Sequence, residues 1–215
     1  MVQKEEARLG RPREYDPEVA LARATEAFWD GGFSGTSLDD LSAQMGMNRP
    51  SLYAAFGDKE SLYLKTLENY HAMRRAQIAS ALGGDRPLSV ALRATYERII
   101  ERFLDGRHGA RGCYLVGTAA TEAVENPAVR KILYESVQDL DEAFRSAFSA
   151  AKARGELGKR ADPRALAALA SAVVHTLALR ARSGQPRAAL QAVADSAVSL
   201  MFSEVERRRN RRRRP

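Results

Sequence analysis

The sequence predicts an all-α protein, with a small three-helix head at the N-terminus and a larger helical body behind it. Apolar residues recur at helical spacing in almost every segment, and no stretch alternates apolar and polar residues as a half-buried strand would. Glycine and proline fall between the periodic segments, most clearly in the linker at 83–87. With 215 residues, of which 45% are apolar, the chain is long enough to bury a substantial core.

The head is predicted from residues that start or stop helices. The first helix begins at Pro17, with Asp16 as its N-cap, and the glycine pair at 31–32 ends it. Ser37 and Asp40 have capping-box spacing at the start of the second helix. The second, third and fourth helices are predicted at Ser37 to Gly46, Asn48 to Gly57 and Asp58 towards Leu82.

The body is predicted to hold five further helices, at 88–104, 113–124 and 128–153, then from Pro163 and from Pro186. We divide the chain into a flexible basic arm at 1–16, a head at 17–62, a body at 63–206 and an arginine-rich tail at 207–215. The tail is expected to be disordered, because a block of like charges repels itself.

The net charge of +7 comes from the tail. The last nine residues contain seven arginines, and without them the 34 basic residues fall to 27, equal to the 27 acidic ones. The overall charge is therefore weak evidence for a nucleic-acid partner, and that function must rest on a local arrangement.

Several classes of protein are disfavoured by what the sequence lacks. There is no apolar run of membrane-spanning length and no secretory signal, and the single cysteine fits a reducing compartment, so we expect a cytoplasmic protein. There is no glycine-rich phosphate loop, nucleophile elbow or Cys-x-x-Cys pair, and the three histidines are scattered. We expect no catalytic residues, no cofactor and no metal site, and therefore no enzyme.

Residues 38–56 have the spacing of a helix-turn-helix. Gly46 lies where the turn needs positive φ, and Ser42 is small where two helices cross closely. The residues that would bury the two short helices against a core are Leu38, Leu41, Met45, Met47, Leu52 and Phe56. The alternative is an ordinary pair of short core helices. In a DNA-binding protein the second helix would enter the major groove.

The second helix of this segment opens with Asn48 and carries three candidate base contacts. Arg49 can donate to both acceptors of a guanine, Pro50 can pack on a thymine methyl group, and Ser51 can reach a base or a phosphate. No acidic residue lies between Asp40 and Asp58, so we expect a groove-facing surface free of charge repulsion. Lys59 offers a phosphate contact at the start of the next helix.

The run GGFSGTSLDDLSAQMGMNRPSLYAAFGDKESLYLKTLENY resembles the N-terminal domain of the TetR/AcrR family of transcriptional regulators. Its most specific pieces are the Gly-Phe-x-x-Thr-Ser entry, Met-Gly-Met at the turn, Ser-Leu-Tyr, and Phe56 followed by Asp-Lys-Glu. The resemblance implies that Ser37, Tyr53 and Lys59 contact phosphates while Arg49, Pro50 and Ser51 face bases. The family often has an aromatic residue or histidine where this chain has Ala54 and Ala55, so one or two phosphate contacts are expected to be missing. Tyr53 can also brace the helix.

Two basic segments lie outside the head. Arg11 and Arg13 in the arm suit a narrow minor groove, and the resemblance implies the same role, whereas the alternative is a solvated tail. The arginine tail would add only non-specific, salt-dependent affinity for phosphates.

The resemblance implies a homodimer formed by the last two helices and a small-molecule pocket within the body. Each helix carries a long apolar face, which the protomer's own core could also bury. Alanines 167, 168, 181 and 194 would permit close helix approach. The candidate pocket residues, each of which has packing in the core as its alternative, are Tyr96, Phe103, Cys113, Gly117, Thr118, Thr121, Phe144, Phe148 and His175.

The expected function is that of a ligand-responsive repressor, which binds a pseudo-palindromic operator as a dimer and is released by a small-molecule inducer. A second hypothesis is a regulator that senses electrophiles or oxidants through Cys113, which follows Gly112 with cations just upstream. The alternative for Cys113 is a small buried hydrophobic residue. A non-specific architectural DNA binder is the third hypothesis.

Overall fold

A computed structural model describes residues 16–106 and 109–212, and side chains as far as Ser203. Within these ranges the chain is helical and contains no strand, which confirms the all-α prediction. The helices are α1 Pro17–Gly35, α2 Leu38–Met45, α3 Arg49–Phe56, α4 Lys59–Leu82, α5 Leu88–Leu104, α6 Ala120–Glu122, α7 Pro127–Ala153, α8 Pro163–Arg182 and α9 Arg187–Arg212. A π-helical turn, Leu115–Ala119, leads directly into α6.

The predicted caps of the head are confirmed. Asp16, Asn48 and Asp58 each accept a hydrogen bond from a backbone N–H in the first turn of the helix that follows. Ser37 and Asp40 form the full capping box. The hydroxyl of Ser37 donates to Asp40 at 2.6 Å and holds the pKa of that carboxyl below its usual value. Because each cap contributes about 1 kcal/mol, local sequence alone fixes these helix starts.

Two helix boundaries differ from the prediction. Gly32 has a φ of 72°, yet helical turns continue to Gly35, so the glycine pair kinks α1 rather than ending it. The hydroxyl of Thr36 then donates to the carbonyl of Gly32 at 2.7 Å and closes the segment. The helix predicted from Cys113 instead opens with the π-helical turn at Leu115, after a left-handed Gly112.

The last helix also differs. It begins at Arg187, one residue after the predicted start, and continues through Arg212. Residues 207–212 are therefore helical, whereas a disordered tail is predicted from residue 207. Arginine is a good helix former, and the chain keeps the helical path already set by α9. Residues 213–215 lie outside the described residues.

Helix α4 joins the head to the body. Its first half buries Leu62 and Leu67 in the same core as α1, and its second half packs against α5 and α7. An aromatic cluster crosses the junction, since Trp29 of α1 lies 5.1 Å from Tyr70 and 5.6 Å from Tyr114, measured between ring centroids. Head and body therefore share one continuous core.

Helices α8 and α9 have both a buried and an exposed apolar side. Helix α8 is long and apolar enough to cross a membrane by length and composition, but it packs between α5, α7 and α9. Ala167, Ala181 and Ala194 are buried within the protomer's own core, so three of the four alanines expected to mediate close helix approach do not face outward. Large apolar side chains on the opposite side, Leu169, Leu179 and Leu200, are exposed.

Candidate nucleic-acid interface and internal cavity

Helices α2 and α3 form the helix-turn-helix frame that the sequence predicts. Gly46 adopts the left-handed conformation at the turn, with φ 67° and ψ 31°. Leu41, Met45 and Leu52 are buried beneath the two helices, and α3 packs against α2 and α4. Because the apolar side of α3 packs into this core, the polar side and the N-terminus of α3 face outward.

The predicted base-contacting residues lie together at the start of α3. Asn48, Arg49 and Pro50 are exposed, and Ser51 is half-buried. The side-chain oxygen of Asn48 accepts from the Ser51 N–H at 2.9 Å, so its role in the free protein is that of a helix cap. The exposed N-terminus of α3 thus presents an arginine, a proline and a hydroxyl on one surface.

Arg49 forms an ion pair that the sequence analysis did not predict. Its Nε donates to Oδ1 of Asp39 at 3.0 Å, and its Nη2 lies 2.7 Å from Oδ2 of the same carboxylate. Asp39 is in the first turn of α2, just outside the acid-free interval of the sequence. An acidic side chain therefore lies beside the predicted base-contacting residues, where a surface free of charge repulsion is expected.

The ion pair leaves part of the Arg49 guanidinium available. Asp39 occupies the edge formed by Nε and Nη2, whereas Nη1 contacts no acceptor among the residues that the structure describes. The two side chains are 53% and 77% exposed, and surface pairs of this kind contribute only about 0–1 kcal/mol. Arg49 can therefore offer its outer edge to a base or leave Asp39 at little cost.

The predicted phosphate contacts flank this surface. Tyr53 is 46% exposed, so its ring braces α3 while its hydroxyl can reach outward. Lys59 begins α4 and its Nζ lies 4.5 Å above the ring of Phe33. The hydroxyl of Ser37 is engaged in the capping box. Arg11 and Arg13 lie outside the described residues.

Most of the predicted pocket residues are core residues that do not surround a common space. Phe144 and Phe148 are buried, and the hydroxyl of Tyr96 donates to the carbonyl of Ala170 at 3.1 Å. Thr118 accepts from the Tyr63 hydroxyl, whose pKa burial raises to about 12. Gly117 lies against Arg182, and Thr121 is exposed. For His175, burial and then the charge of Arg74 lower the pKa.

Among the described residues, a cavity lies between α4, α5 and α8. It has a volume of about 550 Å³, within the usual range for small-molecule sites. Phe103 is the one predicted pocket residue that lines it. The sequence analysis missed its polar residues, foremost Arg74, Arg98 and Arg102. The four-residue spacing of Arg98 and Arg102 on α5 was the available signal, because residues four apart share one face of a helix.

Cys113 lies buried behind one wall of this cavity. Its Sγ is 3.7 Å from the hydroxyl of Tyr70 and 3.9 Å from Nη1 of Arg74, and both of those residues line the cavity. The thiol therefore borders a cationic side chain, although it is only 2% exposed.

Comparisons with known proteins agree with this architecture. Residues 20–66 match the family model described as bacterial regulatory proteins, tetR family, and residues 90–197 match the tetracyclin repressor-like C-terminal domain. Fold and matches together define a helix-turn-helix transcriptional regulator that binds DNA. The chain belongs to the TetR family of bacterial transcriptional regulators.

Individual relatives support the same family. The uncharacterised HTH-type transcriptional regulator YezE of Bacillus subtilis is 31% identical over 160 residues, which cover 74% of this chain and 82% of the relative. The HTH-type transcriptional repressor ComR of Escherichia coli is 25% identical over 191 residues, covering 89% and 91%. Among solved structures, the TetR family regulator CifR in complex with 26-bp operator DNA is 32% identical, with a TM-score of 0.78 over 87% of this chain and 98% of that chain.

Proposed function

We propose that the protein is a cytoplasmic, homodimeric transcriptional repressor that binds a pseudo-palindromic operator and is released by a small-molecule inducer. The observation that carries the proposal is the exposed N-terminus of α3, where Arg49, Pro50 and Ser51 share one surface. Such a helix end reads base edges in the major groove. The operator complex of CifR and the repressor ComR are consistent with this role.

Dimerisation follows from the exposed apolar sides of α8 and α9. A single helix-turn-helix contacts few base pairs, so two copies are needed to read a two-fold operator. Leu169 and Leu179 on α8 and Leu200 on α9 are exposed large apolar side chains, as expected of a surface that a second copy covers. Ala168 and Ala172 are small exposed residues of α8 that would let two copies approach closely.

Ligand control acts through α4. This helix starts next to α3 at Lys59 and later contributes Tyr70, Arg74 and Ile78 to the cavity wall. Tyr70 also packs edge-on against Trp29 of α1. A ligand that binds better to one position of α4 shifts the two heads relative to each other and prevents both from seating in successive major grooves.

Substitution of Leu179 by Asp is expected to convert the dimer into monomers and to weaken operator binding at least about tenfold, because it places a charge in the apolar contact. Sedimentation velocity gives the oligomeric state, and fluorescence anisotropy gives the affinity for a labelled operator selected from random DNA. Val124→Asp is the matched control, since Val124 is 71% exposed against 66% for Leu179 but lies next to α6.

Two outcomes would contradict the proposal. Dimers that persist in both variants would place the interface elsewhere. Equal affinity for all DNA sequences, lost when residues 207–215 are deleted, would favour the architectural binder instead.

A second candidate function is thiol sensing through Cys113, favoured by the position of Arg74 Nη1 at 3.9 Å from Sγ. If the thiol is a sensor, mild treatment with an alkylating electrophile modifies Cys113 and releases the operator, and Cys113→Ser abolishes the release. Mass spectrometry and anisotropy check the two steps. Unmodified Cys113, or equal release from Cys113→Ser, leaves it as a packed core residue.

A further inference from the structure

The cavity between α4, α5 and α8 has an unbalanced positive charge. Arg74, Arg98 and Arg102 line it, and no acidic residue does. Among the described residues, none of the three has a carboxylate within ion-pair distance. Guanidinium groups stay charged in proteins at any physiological pH, so three permanent positive charges lie at or beside the cavity.

Carboxylates on the surrounding helices have other partners. Glu97 and Glu101 of α5, which lie between the cavity arginines in sequence, both pair with Arg187. Asp139 of α7 pairs with His71 and with Arg75, the residue next to Arg74. The ion pairs of these helices therefore do not include the cavity arginines, and a bound anion would balance their charge.

Two of the arginines are held in place before any ligand arrives. Nη2 of Arg74 donates to the backbone carbonyl of Ser136 at 2.8 Å and to its hydroxyl at 2.6 Å. The Arg102 guanidinium lies 5.5 Å from the ring centroids of both Trp29 and Tyr70, and its buried Nε has no hydrogen-bond partner among the described residues. Arg98 lines the cavity yet is exposed, so it lies at the mouth.

Most of the remaining wall is apolar, with Gln77, Ser80 and Thr95 as its uncharged polar residues. Ile78, Ile99, Phe103 and Val174 face the same space as the arginines. A cavity of about 550 Å³ accommodates a molecule with a hydrocarbon or aromatic body and one charged group. Inorganic phosphate would leave this apolar surface uncovered.

We propose that this cavity binds a small amphiphilic organic acid, whose carboxylate contacts Arg74, Arg98 and Arg102 and whose apolar body lies against Ile99 and Val174. Charge-assisted hydrogen bonds from fixed guanidinium groups supply the selectivity for an anion. The role of this acid as the inducer rests on the proposed repressor function. The proposal that the cavity binds an anion does not depend on that function.

The test compares carboxylates with their primary amides, which keep the shape and remove the charge. The probes are decanoate against decanamide and 4-phenylbutyrate against 4-phenylbutanamide, measured by calorimetry on the full-length protein without DNA. At least one carboxylate is expected to bind about tenfold or more tightly than its amide, the scale of a charge-assisted hydrogen bond. Trp29 is the only tryptophan and lies beside Arg102, so its fluorescence gives a second readout for the aliphatic pair.

Three variants locate the site. Arg98→Met and Arg102→Met are expected to lower carboxylate affinity about tenfold or more and to leave amide affinity unchanged. Arg98→Met serves if the more enclosed Arg102→Met fails to fold. Arg75→Met is the control, since Arg75 is an exposed arginine beside Arg74 that does not line this cavity.

Each result decides one question. No binding by any probe, equal binding of acid and amide, or unchanged carboxylate affinity in both cavity variants would overturn the anion site. Operator affinity, measured by anisotropy with and without the carboxylate, tests the repressor proposal separately. Tight, arginine-dependent binding that leaves operator affinity unchanged supports the anion site and contradicts the inducer role.

Discussion

Replacing Arg49 by Met is expected to remove most of the preference for the operator over random DNA, while the fold stays intact. The side chain is 53% exposed and contributes no buried contact, so stability should change little. One arginine that contacts a guanine through two hydrogen bonds contributes about 1–3 kcal/mol, and a dimer loses this twice, about 2–6 kcal/mol in all. Anisotropy with the operator and with a scrambled duplex, at one fixed salt concentration, gives the ratio directly.

Arg145→Met is the matched control. Arg145 is also an exposed arginine in an ion pair, with Glu142 on α7, but it lies in the body. The Arg145→Met substitution makes the same change of charge and side-chain length as Arg49→Met, but far from the candidate nucleic-acid interface. If both variants reduce operator affinity equally, the effect of Arg49 is one of net charge and the assignment of base contacts to α3 is wrong.

Asp39→Asn separates two roles of the ion pair. The carboxylate repels DNA phosphates, so its removal is expected to raise affinity for random DNA. The Asp39 carboxylate also fixes the Nε and Nη2 edge of Arg49 and leaves the Nη1 side for guanine. Removal of the carboxylate is therefore expected to lower the ratio of operator affinity to random-DNA affinity. An increase in that ratio would show that Asp39 competes with DNA for Arg49 and does not orient it.

The sequence predicted the head more accurately than the body because the head depends on local signals. Asp16, Ser37, Asn48 and Asp58 cap helices through backbone N–H groups two or three residues away, so the letters and their spacing are sufficient. The Asp39–Arg49 pair escapes such reasoning because it forms across the turn between α2 and α3. Its existence depends on how the two helices cross.

The cavity between α4, α5 and α8 lies within the body, where a pocket is predicted, but of the predicted lining residues only Phe103 borders it. The sequence analysis predicts that hydroxyls and aromatic rings line the pocket, yet Tyr96, Phe144 and Phe148 fill the spaces between helices. Where a gap remains depends on how α4, α5 and α8 pack, which no single helix pattern contains. The sequence analysis did not single out Arg98 and Arg102 of α5, which line the cavity in the fold.

The structural role of Gly112 can be recognised only in the folded protein. In the sequence it was notable as the residue before Cys113. In the structure it has a φ of 67°, and a Cβ placed on it would lie 2.5 Å from the carbonyl oxygen of Ala178. This atom belongs to the backbone of α8, so it cannot move aside as the end of a flexible side chain would.

Gly112→Ala is therefore expected to destabilise the protein by about 3–5 kcal/mol, the sum of left-handed strain and a forced shift of α8. Gly84→Ala is the matched control, because Gly84 has a φ of 91° with nothing within 4 Å of the added Cβ. Gly84→Ala should lower the free energy of unfolding by the left-handed strain alone, about 1–2 kcal/mol. Urea unfolding followed by circular dichroism at one protein concentration gives both values, since dimer stability depends on concentration.

The comparison of Gly112→Ala with Gly84→Ala also tests how tightly the body packs against the head. Residues 113 and 114 follow Gly112 directly, and the ring of Tyr114 packs against Trp29 and Tyr70 in the aromatic cluster. A shift of this segment should change Trp29 fluorescence in folded Gly112→Ala and leave it unchanged in Gly84→Ala. Equal unfolding midpoints for the two variants would show instead that α8 yields to the new methyl group, and that the approach of Gly112 to Ala178 is not a constraint on the fold.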